Sequence, residues 1–113
     1  MTETKMTESE LLELAAKAIG KPWPQNISGF AMQYEGIRPW NPIHDDRDNA
    51  QLEAKLGIDT QWNLYGVVVH PRIPADPNRE IIYERYMNHN NDKQAARRLA
   101  SVRAAAMVGK AMP

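Results

Sequence analysis

The chain contains no cysteine, and this absence excludes a disulfide framework and any zinc site built on thiolates. No apolar run approaches the roughly 18 residues that a membrane span needs, and the polar residues 1–9 lack the pattern of a secretory signal. The length of 113 residues suits one domain with a modest core. We therefore expect a cytoplasmic protein that does not associate with a membrane.

Signatures of common catalytic sites are also missing. None of the serines lies in a Gly-x-Ser-x-Gly setting, and the chain has no glycine-rich phosphate loop. The three histidines, His44, His70 and His89, lack the i, i+4 spacing of a helical metal site. The sequence therefore predicts a protein that is not an enzyme and needs no cofactor.

The net charge is zero, but the charges are unevenly distributed along the chain. Acidic residues outnumber basic ones in residues 1–20 and 44–59, whereas basic residues dominate from Asp92 onwards. Such segments can attract one another within the fold or present faces of opposite sign to partners. The sequence leaves both arrangements open.

Local signals predict three helices. Thr7 and Glu10 have the spacing of a capping box ahead of a helix over 8–19, which Gly20 ends. A second helix begins at Asp45 or Asp46 and ends at Gly57. The third begins near Asn91 or Asp92 and ends at Gly109.

Three strands are predicted at residues 30–35, 62–70 and 80–86, the last two antiparallel and joined by a proline-rich connection. Apolar side chains on both faces of the segment 62–70 favour helices on both sides of the sheet. The predicted fold class is α+β: a three-layer helix–sheet–helix sandwich with a small, mainly antiparallel sheet and the element order αβαββα. Residues 1–6 are expected to form a disordered tail and residues 7–110 a single domain.

One motif carries a resemblance to a known family. The segment from Trp40-Asn41-Pro42 runs on through an acidic stretch to Leu56-Gly57, and two flanks, residues 10–18 and 95–106, accompany it. It resembles the phage ABA-sandwich domain family of small proteins from phages and prophages, a group that includes NinX-like proteins. Asn49 is inserted before Ala50, so the middle of the match is out of step by one residue.

The resemblance implies a sandwich fold and a phage or prophage setting, and it implies no reaction. We therefore expect a phage accessory protein of unknown activity that binds a host or phage macromolecule and modulates it. A protein partner is favoured, and homo-oligomers are left open.

The candidate interaction surface lies around Trp40, which stands between two prolines and so has little freedom to lose on binding. Aromatic residues of this kind often anchor interfaces, and charges of both signs flank it. The alternative is that the Trp40 ring packs in the core while the carboxylates only cap a helix; for the ring itself we favour packing. The predicted surface comprises Arg38, Trp40, Asn41, His44, Asp45 and Asp46.

Two alternative functions depend on charged residues. A metal-dependent hydrolase would use His44, Asp45, Asp46 and Asp48, although the spacing does not fit a calcium loop of the EF-hand kind. A weak nucleic-acid binder would use a basic face on the last helix, which we do not favour because the chain is neutral overall. That candidate basic face comprises Lys93, Arg97, Arg98 and Arg103.

Overall fold

The computed structural model describes residues 6–25, 28–36, 38–70 and 82–112. Most of the predicted tail (1–5), the proline-rich connection and the start of the third predicted strand (80–81) lie outside the described residues, and the domain boundaries 7–110 stay a prediction. The elements, in chain order, are α1 (Glu8–Ile19), α2 (Gly29–Tyr34), α3 (Asp46–Leu56), β1 (Asp59–Trp62), β2 (Gly66–His70), β3 (Ile82–Arg85), a 3-10 helix (Tyr86–His89) and α4 (Lys93–Ala111).

The capping signals read from the sequence place α1 and α3 correctly. Thr7 and Glu10 form the predicted capping box, and Gly20 ends α1 in a left-handed conformation with φ +75°. Asp45 caps α3, and Gly57 ends it with φ +63°. Local hydrogen bonding at these ends needs no distant partner, which is why the sequence suffices to locate them.

The predicted strand at 30–35 is wrong, because this segment forms the short helix α2. The alternation of Phe30, Met32 and Tyr34 suggested a half-buried strand, yet all three side chains are exposed. Phe30 and Tyr34 are instead i, i+4 neighbours whose ring centroids lie 5.0 Å apart. Such a pair stabilises a helical turn.

The α+β class is confirmed, with a three-stranded antiparallel sheet in the order β1-β2-β3 packed against helices. The predicted strand 62–70 is divided, because a turn at Leu64–Tyr65 separates β1 from β2. The predicted pairing of the last two strands is confirmed, with Val67 opposite Glu84 and Val69 opposite Ile82. The element order differs from αβαββα because α2 replaces a strand and the hairpin adds one.

Helix α4 forms the centre of the molecule. One face of the sheet, including Val67 and Val69, packs against α4, and α1 packs against another side of α4. In the part of the chain that the structure describes, the other face of the sheet is open at Gln61, Tyr83 and Arg85, so the helical cover lies on one face. Leu64 and Tyr65, which suggested apolar character on both faces, belong to the turn.

The contact between α1 and α4 is close because its residues are small. Ala15 and Ala16 of α1 and Ala105 of α4 are completely buried. Gly109 is also buried. It lies so close to α1 that a Cβ at this position would overlap the Leu14 carbonyl oxygen. Helix α4 continues past Gly109 to Ala111, so the prediction that Gly109 ends the helix is wrong.

Among the described helices, none is both long and apolar enough to cross a membrane.

Candidate functional site

The Trp40 ring lies in the core, where only 7% of the residue is exposed. The side-chain amide of Gln25 donates to the Trp40 carbonyl at 3.0 Å, and its oxygen accepts from the Trp40 N–H at 2.7 Å. The Lys21 ammonium lies 5.6 Å from the ring centroid. Of the two interpretations of Trp40, the geometry supports packing, so this ring is not available as an interface anchor.

The neighbouring carboxylates hold the start of α3. Asp45 Oδ1 accepts from the Asp48 N–H at 3.0 Å, and Asp48 Oδ2 accepts from the Asn41 N–H at 2.9 Å. His44 Nε2 lies 2.7 Å from Glu8 Oε1 of α1, with both side chains exposed. Arg38 is exposed as well. That the exposed members of this predicted surface contact a partner stays a prediction.

The four predicted metal ligands point to different partners. Asp45 and Asp48 bind backbone amides, His44 meets Glu8, and Asp46 faces α4. Within the described residues, no three histidine or carboxylate side chains form a group that could hold a metal ion. Although these four residues are close in sequence, their side-chain oxygen and nitrogen atoms therefore contact different partners and do not form one metal site.

Two arginines of the predicted basic face turn inwards and bind the acidic helix α3. Asp46 Oδ1 lies 2.8 Å from Arg98 Nη1 and 3.2 Å from Arg97 Nη2. The hydrogen bond from Arg98, assisted by the charges of both guanidinium groups, lowers the pKa of Asp46. Arg97 and Arg98 are only 14% and 15% exposed, which limits their access to a phosphate backbone.

A second group of polar side chains, most of them partly buried, continues this α3–α4 contact and extends to Thr60 of β1. The Arg97 guanidinium also donates to Glu53 Oε1 and to Asn49 Oδ1. Glu53 Oε2 accepts from the Ser101 hydroxyl at 2.9 Å and from the Thr60 hydroxyl at 3.2 Å. Every polar group in this contact has a partner, as buried polar groups require.

The other two members of the predicted basic face, Arg103 and Lys93, contact β3 and the 3-10 helix that follows it. Arg103 Nη1 lies 2.8 Å from Glu84 Oε2, and His89 Nε2 lies 2.8 Å from the other oxygen of Glu84. The Lys93 ammonium lies 5.3 Å from the centroid of the Tyr86 ring. The four basic residues therefore do not form one continuous face.

The most exposed of the large apolar side chains in the described part of the chain lie at the turn of the β1–β2 hairpin. The Asn63 N–H donates to the Gly66 carbonyl at 2.9 Å, which closes a turn with Leu64 and Tyr65 at its centre. Leu64 is 80% exposed and Tyr65 is 72% exposed. Hairpin turns usually carry glycine, asparagine or aspartate, so a leucine–tyrosine pair here is unusual.

Buried Tyr86 holds this turn in place. Its N–H donates to the Tyr65 carbonyl at 3.1 Å, and its hydroxyl donates to the Asn63 carbonyl at 2.8 Å. The Trp62 ring, 47% exposed, lies 6.4 Å from the Tyr86 ring, and Met87 follows in the chain with 66% exposure. We define the tip patch as the four exposed side chains around Tyr86: Trp62, Leu64, Tyr65 and Met87.

The tip patch is not predicted from the sequence, because the apolar residues 62–70 together indicate one continuous strand. The run of apolar residues there has no asparagine–glycine turn signal, and a lone glycine within a strand pattern, such as Gly66, is equally typical of a bulge. The sequence feature that indicates a hairpin turn is Asn63, which is followed by two large residues and then by Gly66.

No protein-family model matches the chain, and no curated protein or solved structure shows significant similarity to it.

Proposed function

We propose that this protein is a non-enzymatic binding module that binds a host or phage protein through the tip patch. The observation that carries the proposal is the exposure of Leu64 and Tyr65 at the centre of a tight turn. Folding gains little from side chains that remain in water, and large exposed apolar groups promote association. Their burial against a partner would contribute binding free energy instead.

The composition of the tip patch suits a protein interface. Tryptophan, tyrosine and methionine are enriched in such interfaces, and aromatic anchors often contribute most of the binding energy. Polar residues adjoin the patch: exposed Asn63 stands between Trp62 and Leu64 in the chain, and Lys93 lies beside Tyr86. An apolar centre with a polar rim is the usual arrangement.

The proposed setting is a phage or prophage genome, and its support is the motif that begins at Trp40-Asn41-Pro42. Genes for phage replication, lysis or virion proteins on both sides of this gene would support that setting. Flanking genes of ordinary bacterial metabolism would contradict it.

Capture of a partner by the full chain from bacterial lysate tests the binding function. We expect Leu64→Ser combined with Tyr65→Ser to lose the captured protein. The matched control is Phe30→Ser combined with Tyr34→Ser, which also removes two exposed apolar residues but from α2. Equal capture by both double variants would contradict the proposed site.

Sedimentation of the purified protein separates a foreign partner from a second copy. The proposal predicts that the wild type stays monomeric at the concentration used for capture. A dimer that dissociates in the Leu64→Ser, Tyr65→Ser variant would contradict it, because the tip patch would then serve self-association.

A further inference from the structure

A groove of about 640 Å³ runs beside β3, at the edge of the sheet away from β1. All the residues of β3 line it, both those that face the core, such as Ile82, and those that face outwards, such as Tyr83. Since both kinds contribute, the groove follows the strand edge. It does not overlap the tip patch, whose four residues are absent from its lining.

The hydrogen-bond register shows which backbone groups face this edge. Tyr86 N–H donates to Tyr65 O, so the opposed pairs two and four residues along, Val67 with Glu84 and Val69 with Ile82, are the hydrogen-bonded pairs of the ladder. The intervening residues of β3 direct their backbone groups away from β2. The N–H and carbonyl of Tyr83 and the N–H of Arg85 therefore point towards the edge.

No strand of the described part of the chain pairs with β3 on this side. Unpaired N–H and carbonyl groups of an edge strand are a template for another extended segment. Peptides that add a strand in this way gain affinity from main-chain hydrogen bonds, and pockets for alternate side chains give specificity.

The walls of the groove define the chemistry of such a segment. Leu11 of α1 and Leu99 and Met107 of α4 provide apolar contacts. Arg85 and Lys110 are exposed cations in the lining that have no carboxylate partner among the described residues. The lining carboxylates are already engaged: Glu84 binds His89 and Arg103, and Glu8 meets His44.

We propose that this groove binds an extended peptide segment of another protein, which pairs with β3 as a fourth strand and alternates apolar with acidic residues. Its apolar side chains lie on Leu11, Leu99 and Met107 on the α4 side of the sheet, and its carboxylates meet Arg85 on the open face. Lys110 of α4 adds a second positive charge to the groove and attracts the same carboxylates at longer range. This site goes beyond the proposed function, since it is separate from the tip patch.

A labelled hexapeptide of alternating valine and glutamate, added to the full chain, is the direct probe. We expect a saturable change in fluorescence polarisation, together with amide shift changes at Tyr83 and Arg85. A peptide with lysine in place of glutamate should bind at least ten times more weakly. No binding at millimolar protein, or equal affinity for both peptides, would overturn the proposal.

Two variants locate the site. Arg85→Glu with Lys110→Glu should weaken the glutamate peptide at least tenfold and favour the lysine peptide. The matched control, Arg47→Glu with Lys55→Glu, reverses two exposed cations of α3 outside the groove and should bind as the wild type does. Equal loss in both double variants would reduce the effect to overall charge and overturn the site.

A backbone variant tests strand pairing itself. Tyr83→Pro removes an N–H that faces the edge, where proline is tolerated in a sheet, and should abolish peptide binding while β2–β3 pairing persists in amide spectra. If this variant unfolds, N-methylation within the peptide gives the same test: loss of binding supports pairing and unchanged affinity overturns it. Leu64→Ser with Tyr65→Ser should leave peptide binding unchanged, because the tip patch is separate from the groove. Failure of the peptide to bind the groove would therefore not count against partner binding at the tip patch.

Discussion

Asn49 shows how a single residue can join distant parts of this chain. It is completely buried in the first half of α3. Its amide donates to the Pro42 carbonyl at 2.8 Å and to the Arg98 carbonyl at 3.0 Å, and its oxygen accepts from Arg97. The sequence shows Asn49 only as an insertion in a motif, since its partners on α4 lie almost fifty residues away.

Asn49→Ala should lower the free energy of unfolding by about 2–4 kcal/mol, because the Pro42 carbonyl and one Arg97 N–H lose their Asn49 partner and the Arg98 carbonyl loses a second donor. Urea unfolding measures this loss. Gln51→Ala, at an exposed position of the same helix, should change stability by less than about 0.5 kcal/mol. A similar small effect at Asn49 would show that the network contributes little.

Asp46 should make stability depend on pH. The pKa of its carboxyl is lowered, first by the hydrogen bond from Arg98, so the folded state binds a proton more weakly than the unfolded state. The stabilisation is therefore complete above the ordinary aspartate pKa of about 3.9 and is lost as pH falls through the lowered folded value. The difference in unfolding free energy between wild type and Asp46→Asn should shrink over that acidic range; a difference that grows there would contradict the assignment.

At the scale of elements, the close contact of α1 with α4 depends on Gly109. Gly109→Ala would gain helix propensity of about 1 kcal/mol, yet its methyl group would overlap the Leu14 carbonyl oxygen. Overpacking of this kind costs about 1–3 kcal/mol or more, so we expect a net loss of stability with the helical content unchanged in circular dichroism. A higher melting temperature would show that α1 can move away at no cost.

The elements also show what sequence can predict. Helix α1 was located because its capping box and Gly20 are local signals. Helix α2 was mistaken for a strand, since an alternation of Phe30, Met32 and Tyr34 means little when neither face is buried. The hairpin was missed for a related reason: Leu64 and Tyr65 look like strand residues, and only their tertiary surroundings make them a turn.

On the scale of the whole molecule, the uneven charge distribution is largely satisfied internally. Asp46 and Glu53 of α3 face Arg97 and Arg98 of α4, which is one of the two arrangements that the sequence left open. Of the residues that the sequence singled out as candidate sites, Asp46, Arg97 and Arg98 therefore serve the α3–α4 contact. The apolar side chains left at the surface, above all Leu64 and Tyr65, carry the proposed binding function.

Site-specific photo-cross-linking is the most direct test of the proposal that a partner protein binds at the tip patch. Tyr65 is replaced by p-benzoylphenylalanine in one variant and Phe30 in another, since both are exposed aromatic positions, 72% and 64% exposed. Irradiation in host cells should give a covalent adduct with a partner protein from position 65 and none from position 30. An adduct from position 30 alone, or from neither position while capture from lysate persists, would contradict a partner bound at the tip patch.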